Sequence, residues 1–146
     1  MAFTITSSAF ADGGTIPKQF TCDGDNMPPP LAWSGAPEGT RAFALIMDDP
    51  DAPKGTFTHW LLYDIPARTT ALPGEAGKSL RNDFGSSGYG GPCPPKGHGP
   101  HRYVFALYAV DVPLLGVTGE TRQDLEETLR RHTLATAQTT GRYERA

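Results

Sequence analysis

The sequence has little that would carry it into a membrane or onto a polyanion. Its longest uninterrupted apolar run, Ala42 to Met47, is six residues, against the roughly 20 that a bilayer-spanning helix needs. It has no basic tract. The 13 Lys and Arg are scattered among 16 acids, and the formal charge is −3, which argues against a nucleic-acid partner and against stable insertion or electrostatic anchoring at a membrane. The opening MAFTITSSAF has neither the basic start nor the apolar stretch of a secretory signal, so a cytoplasmic location is expected. Cysteine is scarce, at two residues. In a reducing compartment Cys22 and Cys93 are expected as free thiols; a bridge between them requires their two loops to meet. No internal repeat or low-complexity tail is present. Long helices are excluded as well, because 17 Gly and 14 Pro suit strands joined by turns.

What is present is strand-forming. At 146 residues the chain can bury a core and is expected to form one domain over 1–146. RAFALIMD (Arg41 to Asp48) and HWLLYDI (His59 to Ile65) are apolar on both faces, as central strands are. RYVFALYAVD (Arg102 to Asp111) is the strongest candidate, rich in aromatic and branched residues. FTITSSAF alternates moderately, and LATAQTTGRY is a weaker, Thr-rich strand. One segment, TGETRQDLEETLRRH, has a helical pattern. Thr121 can cap it, Asp124 lies near its positive end, and Leu125 and Leu129 share a face. Glu126–Arg130 and Glu127–Arg131 are spaced for i,i+4 ion pairs. This helix is expected to cover one edge of the sheet and carries no assigned chemistry. Residues 11 to 40 and 67 to 101 read as long Gly/Pro-rich loops, a length that is usually functional in a compact domain. The fold class read from these segments is therefore mainly β, with one short C-terminal amphipathic helix and long Gly/Pro-rich loops.

Two stretches carry the chemistry. LIMDDPDAPKGTFTHW (Leu45 to Trp60) leaves a core strand and places Asp48, Asp49 and Asp51 within four residues. Pro50 and Pro53 fix their own φ and push the preceding residues out of the helical region, so the acids are held in a defined turn. Ala52–Pro53 is the candidate for a cis peptide. The bland reading is a solubilising acidic turn. GYGGPCPPKGHGPHRY (Gly88 to Tyr103) runs from a Gly-rich turn into the strongest strand. Glycine lets backbone N–H groups approach a ligand, and successive N–H groups form anion-binding concavities. His101 and Tyr103 share one face of the strand that follows. If the strands are neighbours, His59, His101 and the turn acids gather at one rim. A carboxylate beside an imidazole favours its cation. Such a cation with backbone donors suits a phosphate, and a spare carboxylate suits an ammonium, so a zwitterionic phosphoamine fits both.

Other classes need other residues. A hydrolase needs a nucleophile beside a base, and Ser86 and Ser87 are the serines near the motifs, outside a G-x-S-x-G context. Proton transfer by a His/Asp pair stays open. A metal site would draw on His98-x-x-His101 with a carboxylate, but no zinc-type cysteine spacing accompanies it. No cofactor and no metal is assigned.

DPDAP (Asp49 to Pro53), HW (His59, Trp60) and GHGPHRY (Gly97 to Tyr103) resemble the motifs of the phosphatidylethanolamine-binding protein family, in particular its short bacterial branch. The resemblance extends over FADGGTIPKQFTCDGDNMPPPLAWSGAPEGT, NDFGSSGYGGPCPP and HTLATAQTTGRYER, nearly the whole chain. It implies an antiparallel β-sandwich, a central antiparallel sheet packed on a smaller one, and a small anion pocket lined by Asp49, His59, Pro95, His101 and Tyr103. Tyr89 and Gly91 correspond to further rim residues. Asp51 corresponds to the second turn acid, which orients the loop, and Arg102 to a structural ion pair on the opposite face from His101. The implied ligand is a small phosphate ester or other anion of the phosphoethanolamine head-group type. A homodimer and a regulatory, kinase-inhibitor-like role are further implications of the family. KGTF is shorter than the corresponding eukaryotic segment, and the mammalian C-terminal helix that flanks the pocket has no counterpart here. The kinase and membrane-lipid roles are therefore not carried over.

Overall fold

The structure is a computed structural model describing residues 2–146. In chain order its elements are β1 (Thr4–Thr6), a 3₁₀ turn (Lys18–Phe20), β2 (Leu31–Ser34), β3 (Ala42–Asp49), β4 (Phe57–Pro66), β5 (Ala71–Leu72), β6 (Lys78–Ser79), β7 (His101–Val110), α1 (Arg122–His132) and β8 (Thr133–Tyr143). The unbroken apolar run of β3 is explained by its place. It pairs antiparallel with β4 on one side and β7 on the other, in a five-stranded sheet ordered β6-β4-β3-β7-β8. Both faces of β3 are covered. Phe43, Leu45 and Met47 face a core shared with Ile5, Leu31, Trp33 and Leu72 of the smaller sheet, β1-β2-β5. Trp33 packs edge-on to Phe43 at 5.6 Å, and its indole N–H donates to the Thr69 carbonyl at 3.1 Å, so burial leaves no orphan donor.

Ala42, Ala44 and Ile46 point the other way, into a second core with Leu61, Val110, Leu115, Leu125 and Leu129. The helix therefore covers the outer face of the large sheet, not its edge. The edge strand β8 is shielded by residues 13 to 16 instead: Gly13 N–H donates to the Thr140 carbonyl at 2.7 Å and Arg142 N–H to the Gly14 carbonyl at 2.8 Å. Such a cover removes the exposed row of donors and acceptors that invites aggregation. The helix starts where its cap places it. Thr121 accepts from Asp124 N–H, and the Asp124 carboxylate accepts from Thr121 N–H. The ion pairs differ in part from those expected. Glu127–Arg131 forms at 3.7 Å, whereas Glu126 is taken by Arg122 at 3.1 Å.

Two further expectations are corrected. The cysteines are not free: Cys22 and Cys93 are disulfide-bonded, with Cα atoms 5.4 Å apart. Their loops do meet, as the Cys22 N–H bond to the Pro92 carbonyl at 3.1 Å also records. The cis peptide is Leu72–Pro73, not Ala52–Pro53. No helix among the described residues is long and apolar enough to cross a membrane.

The burial pattern gives one direct test. Leu125 is fully buried, so Leu125→Ala is expected to lower the unfolding free energy by about 2–5 kcal/mol in urea denaturation. Leu114, 66% exposed, is the control: Leu114→Ser should move it by less than about 0.5 kcal/mol.

Candidate functional site

The three acids at the end of β3 each meet a different basic partner. Asp48 points to the outer face, where Arg122 of α1 clamps it; Arg122 Nη2 donates to Asp48 Oδ2 at 2.8 Å and Nη1 to the Thr58 hydroxyl at 2.8 Å. Asp49 points inward. Its Oδ2 accepts from His101 Nδ1 at 2.6 Å, and its Oδ1 accepts from Asp51 N–H at 2.8 Å, closing the turn that the prolines stiffen. Asp51 turns outward to Arg102, which donates to it from Nε at 3.0 Å, Nη2 at 2.8 Å and the backbone N–H at 2.8 Å. This Arg102 contact holds the Asp51 carboxyl down at about 2. Asp49 and His101 are 4% and 1% exposed. Removing one partner of such a buried pair typically costs about 3–5 kcal/mol, so His101 is part of the frame as well as of the pocket.

His59 reaches the same place by a different device. Met47 pairs with Trp60 and Asp48 with Thr58, which leaves His59 as the extra residue of a β-bulge in β4. A bulge re-aims a side chain next to a site. The backbone of Gly90 then grips His59 twice: Gly90 N–H donates to the His59 carbonyl at 3.0 Å, and the Gly90 carbonyl accepts from ring Nδ1 at 2.7 Å. Because a carbonyl can only accept, Nδ1 carries the proton and Nε2 is the lone-pair nitrogen of the neutral ring. Burial pushes the His59 pKa down, against the opposing pull of the Gly90 bond and the nearby Asp49. The expected imidazolium is therefore not the favoured state of His59 in the free protein.

Asp49, His59, Pro95, His101 and Tyr103 come together around one pocket of ≈ 190 Å³. The Tyr103 ring lies edge-on to His59 at 5.3 Å and stacks on His101 at 6.5 Å. Its hydroxyl is buried and has no hydrogen-bond partner among the described residues. Burial, reinforced by the Asp49 carboxylate, pushes that hydroxyl's pKa far up, so it is a donor at any ordinary pH. The remaining wall is apolar, with Phe57, Phe84, Pro53 and Pro94. Phe57 and Phe84 meet edge-on at 4.7 Å.

Asp51, Tyr89 and Gly91 do not line the pocket. The Tyr89 hydroxyl donates to the Phe20 carbonyl at 2.7 Å, and Gly91 N–H donates to Asn26 Oδ1 at 2.9 Å. These bonds sew the pocket wall to the loop of residues 20 to 26. A Cβ at Gly91 would sit 2.5 Å from the Phe20 carbonyl oxygen, which explains the glycine. Ser86 and Ser87 lie outside the pocket lining, so neither supplies the nucleophile that a hydrolase needs. His98 Nδ1 lies 2.6 Å from His101 Nε2. That spacing holds one shared proton; it is too short for a metal ion bound at about 2.0–2.1 Å to each ring. No group of three or more potential ligands is arranged for a metal among the described residues.

As pocket residues, sequence reasoning missed Ala52, Pro53, Phe57, Phe84, Cys93 and Pro94. Phe57 could have been found, since it precedes His59 by two in a strand. Phe84 gives no such signal, because it reaches the site from a loop.

Fold and pocket together define a two-sheet β protein with a small imidazole-lined pocket at the mouth of its central strands. The family model for phosphatidylethanolamine-binding protein matches residues 6–144, and the chain belongs to that family. It is 49% identical over 150 residues to a UPF0098 protein of Aquifex aeolicus, covering 97% of this chain and 88% of that one. The crystal structure of Escherichia coli YbcL, described as a member of the mammalian PEBP family, superposes with a TM-score of 0.91 at 36% identity over 100% of both chains. A PEBP homolog of Chlamydia trachomatis gives 0.90 at 36% identity, covering 99% of each.

Asp51 provides a pH-resolved test of the frame. Its folded pKa lies below its ordinary 3.8, so the ion pair stabilises the fold fully above about 3.8 and the contribution is lost as pH falls through about 2. Arg102 is largely exposed, which keeps the value small. Asp51→Asn should lower stability by about 1 kcal/mol or less at pH 7. The gap to the parent protein should close across that acid window in thermal melts.

Proposed function

We propose that the pocket binds a small phosphate ester, of the phosphoethanolamine head-group type, and that binding rather than turnover is its role. The observation that carries this reading is the Tyr103 hydroxyl, a buried donor in the pocket lining that makes no hydrogen bond of good geometry, with the Asp49 carboxylate as its nearby competing acceptor. Such a donor costs about 1–3 kcal/mol until a ligand or water takes it, and a phosphate oxygen is a strong acceptor of suitable size. His59 Nε2 supplies the second contact. It accepts the P–OH of a monoanion, or becomes protonated as the anion arrives. Asp49 holds His101 by Nδ1 and His98 meets its Nε2, so His101 shapes the pocket wall and contacts the anion only if His98 gives way.

Both turn carboxylates are already engaged, by His101 and Asp51 N–H for Asp49 and by Arg102 for Asp51. The ammonium of the ligand therefore takes the faces of Phe57 and Phe84, an attraction of about 0.5–2 kcal/mol, rather than an acid. Phosphoethanolamine should on this basis bind more tightly than inorganic phosphate.

The linkage has a definite sign. Burial pushes His59 toward the neutral form in the free protein, and an adjacent anion favours its cation, so binding takes up a proton and affinity is higher at mildly acid than at alkaline pH. Without ligand the trend is opposite, because charging a buried His59 costs stability on the acid side of its ordinary 6.5. Calorimetry with phosphoethanolamine tests the reading. Tyr103→Phe, which removes the orphan hydroxyl and keeps the ring, should weaken binding about 5- to 10-fold and leave the melting temperature equal or higher. Equal affinity in the two proteins, or tighter binding at pH 8 than at pH 6, would sink the proposal.

A further inference from the structure

Cys93 lines the pocket, and its sulfur is bridged to Cys22. The two ends of this bridge have unlike surroundings. Cys22 is exposed, whereas Cys93 is partly buried. Arg145 Nη1 lies 3.6 Å from Cys93 Sγ. That arginine is braced by Asp23, whose Oδ1 accepts from Arg145 Nε at 3.2 Å and whose Oδ2 accepts from the Tyr143 hydroxyl at 2.6 Å. In thiol–disulfide exchange an attacking thiolate needs access to one sulfur, and the other sulfur leaves the faster the better its thiolate is stabilised. A guanidinium beside a sulfur provides that stabilisation. Here Cys22 is the more exposed end of the bridge, and Cys93, beside Arg145, is the stabilised leaving group.

We propose that the Cys22–Cys93 disulfide is a reducible site, opened by a dithiol at Cys22, that delivers a reactive Cys93 thiolate to the wall of the pocket and weakens anion binding there. In the first step the dithiol's thiolate forms a bond to Cys22 Sγ, and the Cys22–Cys93 bond breaks with its electron pair leaving on Cys93, beside Arg145. In the second step the other thiol of the dithiol attacks the mixed disulfide and releases Cys22, which takes up a proton. The protein disulfide gains two electrons and the dithiol is oxidised to its own disulfide. The wall need not unfold. Three non-covalent seams remain between its two sides: Cys22 N–H to the Pro92 carbonyl, Gly91 N–H to Asn26, and the Tyr89 hydroxyl to the Phe20 carbonyl. What changes is charge, since a thiolate forms on Cys93, a residue of the same lining as the buried carboxylate of Asp49. The effect on affinity rests on the anion-binding reading above; the reactivity of Cys93 does not.

The experiment separates the two. In fully reduced protein at pH 7, Cys93 should be alkylated by iodoacetamide about tenfold faster than Cys22, as followed by mass spectrometry, and Arg145→Gln should bring the two rates together. Calorimetry with inorganic phosphate should show binding weakened about tenfold on reduction. The Cys22→Ser/Cys93→Ser protein, which cannot form a thiolate, should bind alike with and without reductant. Equal alkylation rates in the parent protein, or phosphate binding indifferent to complete reduction, would overturn the inference. If the oxidised protein takes up neither phosphate nor phosphoethanolamine, the anion-binding reading fails, and the alkylation rates alone decide the assignment of Cys93.

Discussion

The contact on which the site depends is the buried bond between Asp49 and His101. It joins the end of β3 to the start of β7 with almost no water around it. A carboxylate and an imidazole so placed are tolerable only as a pair. That requirement fixes the relative position of the two segments that wall the pocket. It also fixes the His101 tautomer, because the nitrogen facing the carboxylate must be the donor. The pocket is in this sense built around a bond that ligand never needs to touch.

The neighbouring acids divide the remaining work. Asp48 binds α1 to the sheet through Arg122, and Asp51 holds the turn on the surface through Arg102. Three adjacent carboxylates would repel one another if left alone. Their side chains instead point outward to the helix, inward to the core and sideways to the strand, so that each is neutralised locally. Little unpaired negative charge therefore remains at the pocket mouth. The bulge at His59 completes the arrangement by shifting the β3–β4 register by one residue and turning one more imidazole toward the same space.

Much of this was legible in the sequence, for reasons that differ from residue to residue. The central strands were visible because burial on both faces demands an uninterrupted apolar run, which β3 has, and because β7 is dense in aromatic and branched residues. The helix cap was visible because Thr121 and Asp124 form it locally. The helix's destination was not, since an apolar stripe states that a face is buried and says nothing of what buries it. Strands β2, β5 and β6 were missed because two to four residues carry no period. The meeting of Asp49, His59 and His101 could be anticipated from motifs near strand ends and from the family resemblance. The neutral bias of His59 could not, because it comes from burial, which outweighs the opposing bond to a Gly90 carbonyl thirty-one residues away. The disulfide was misread because a rule about compartments cannot tell which loops touch.

His98 adds a last consequence. Its ring occupies the one nitrogen of His101 that Asp49 leaves free, and it rides on an exposed bend between Gly97 and Gly99, both in the left-handed region. A guest that seeks that nitrogen competes with a tethered imidazole already present at high effective concentration. The chain thus carries its own occupant at this nitrogen, and any guest reaches it only by displacing the His98 ring.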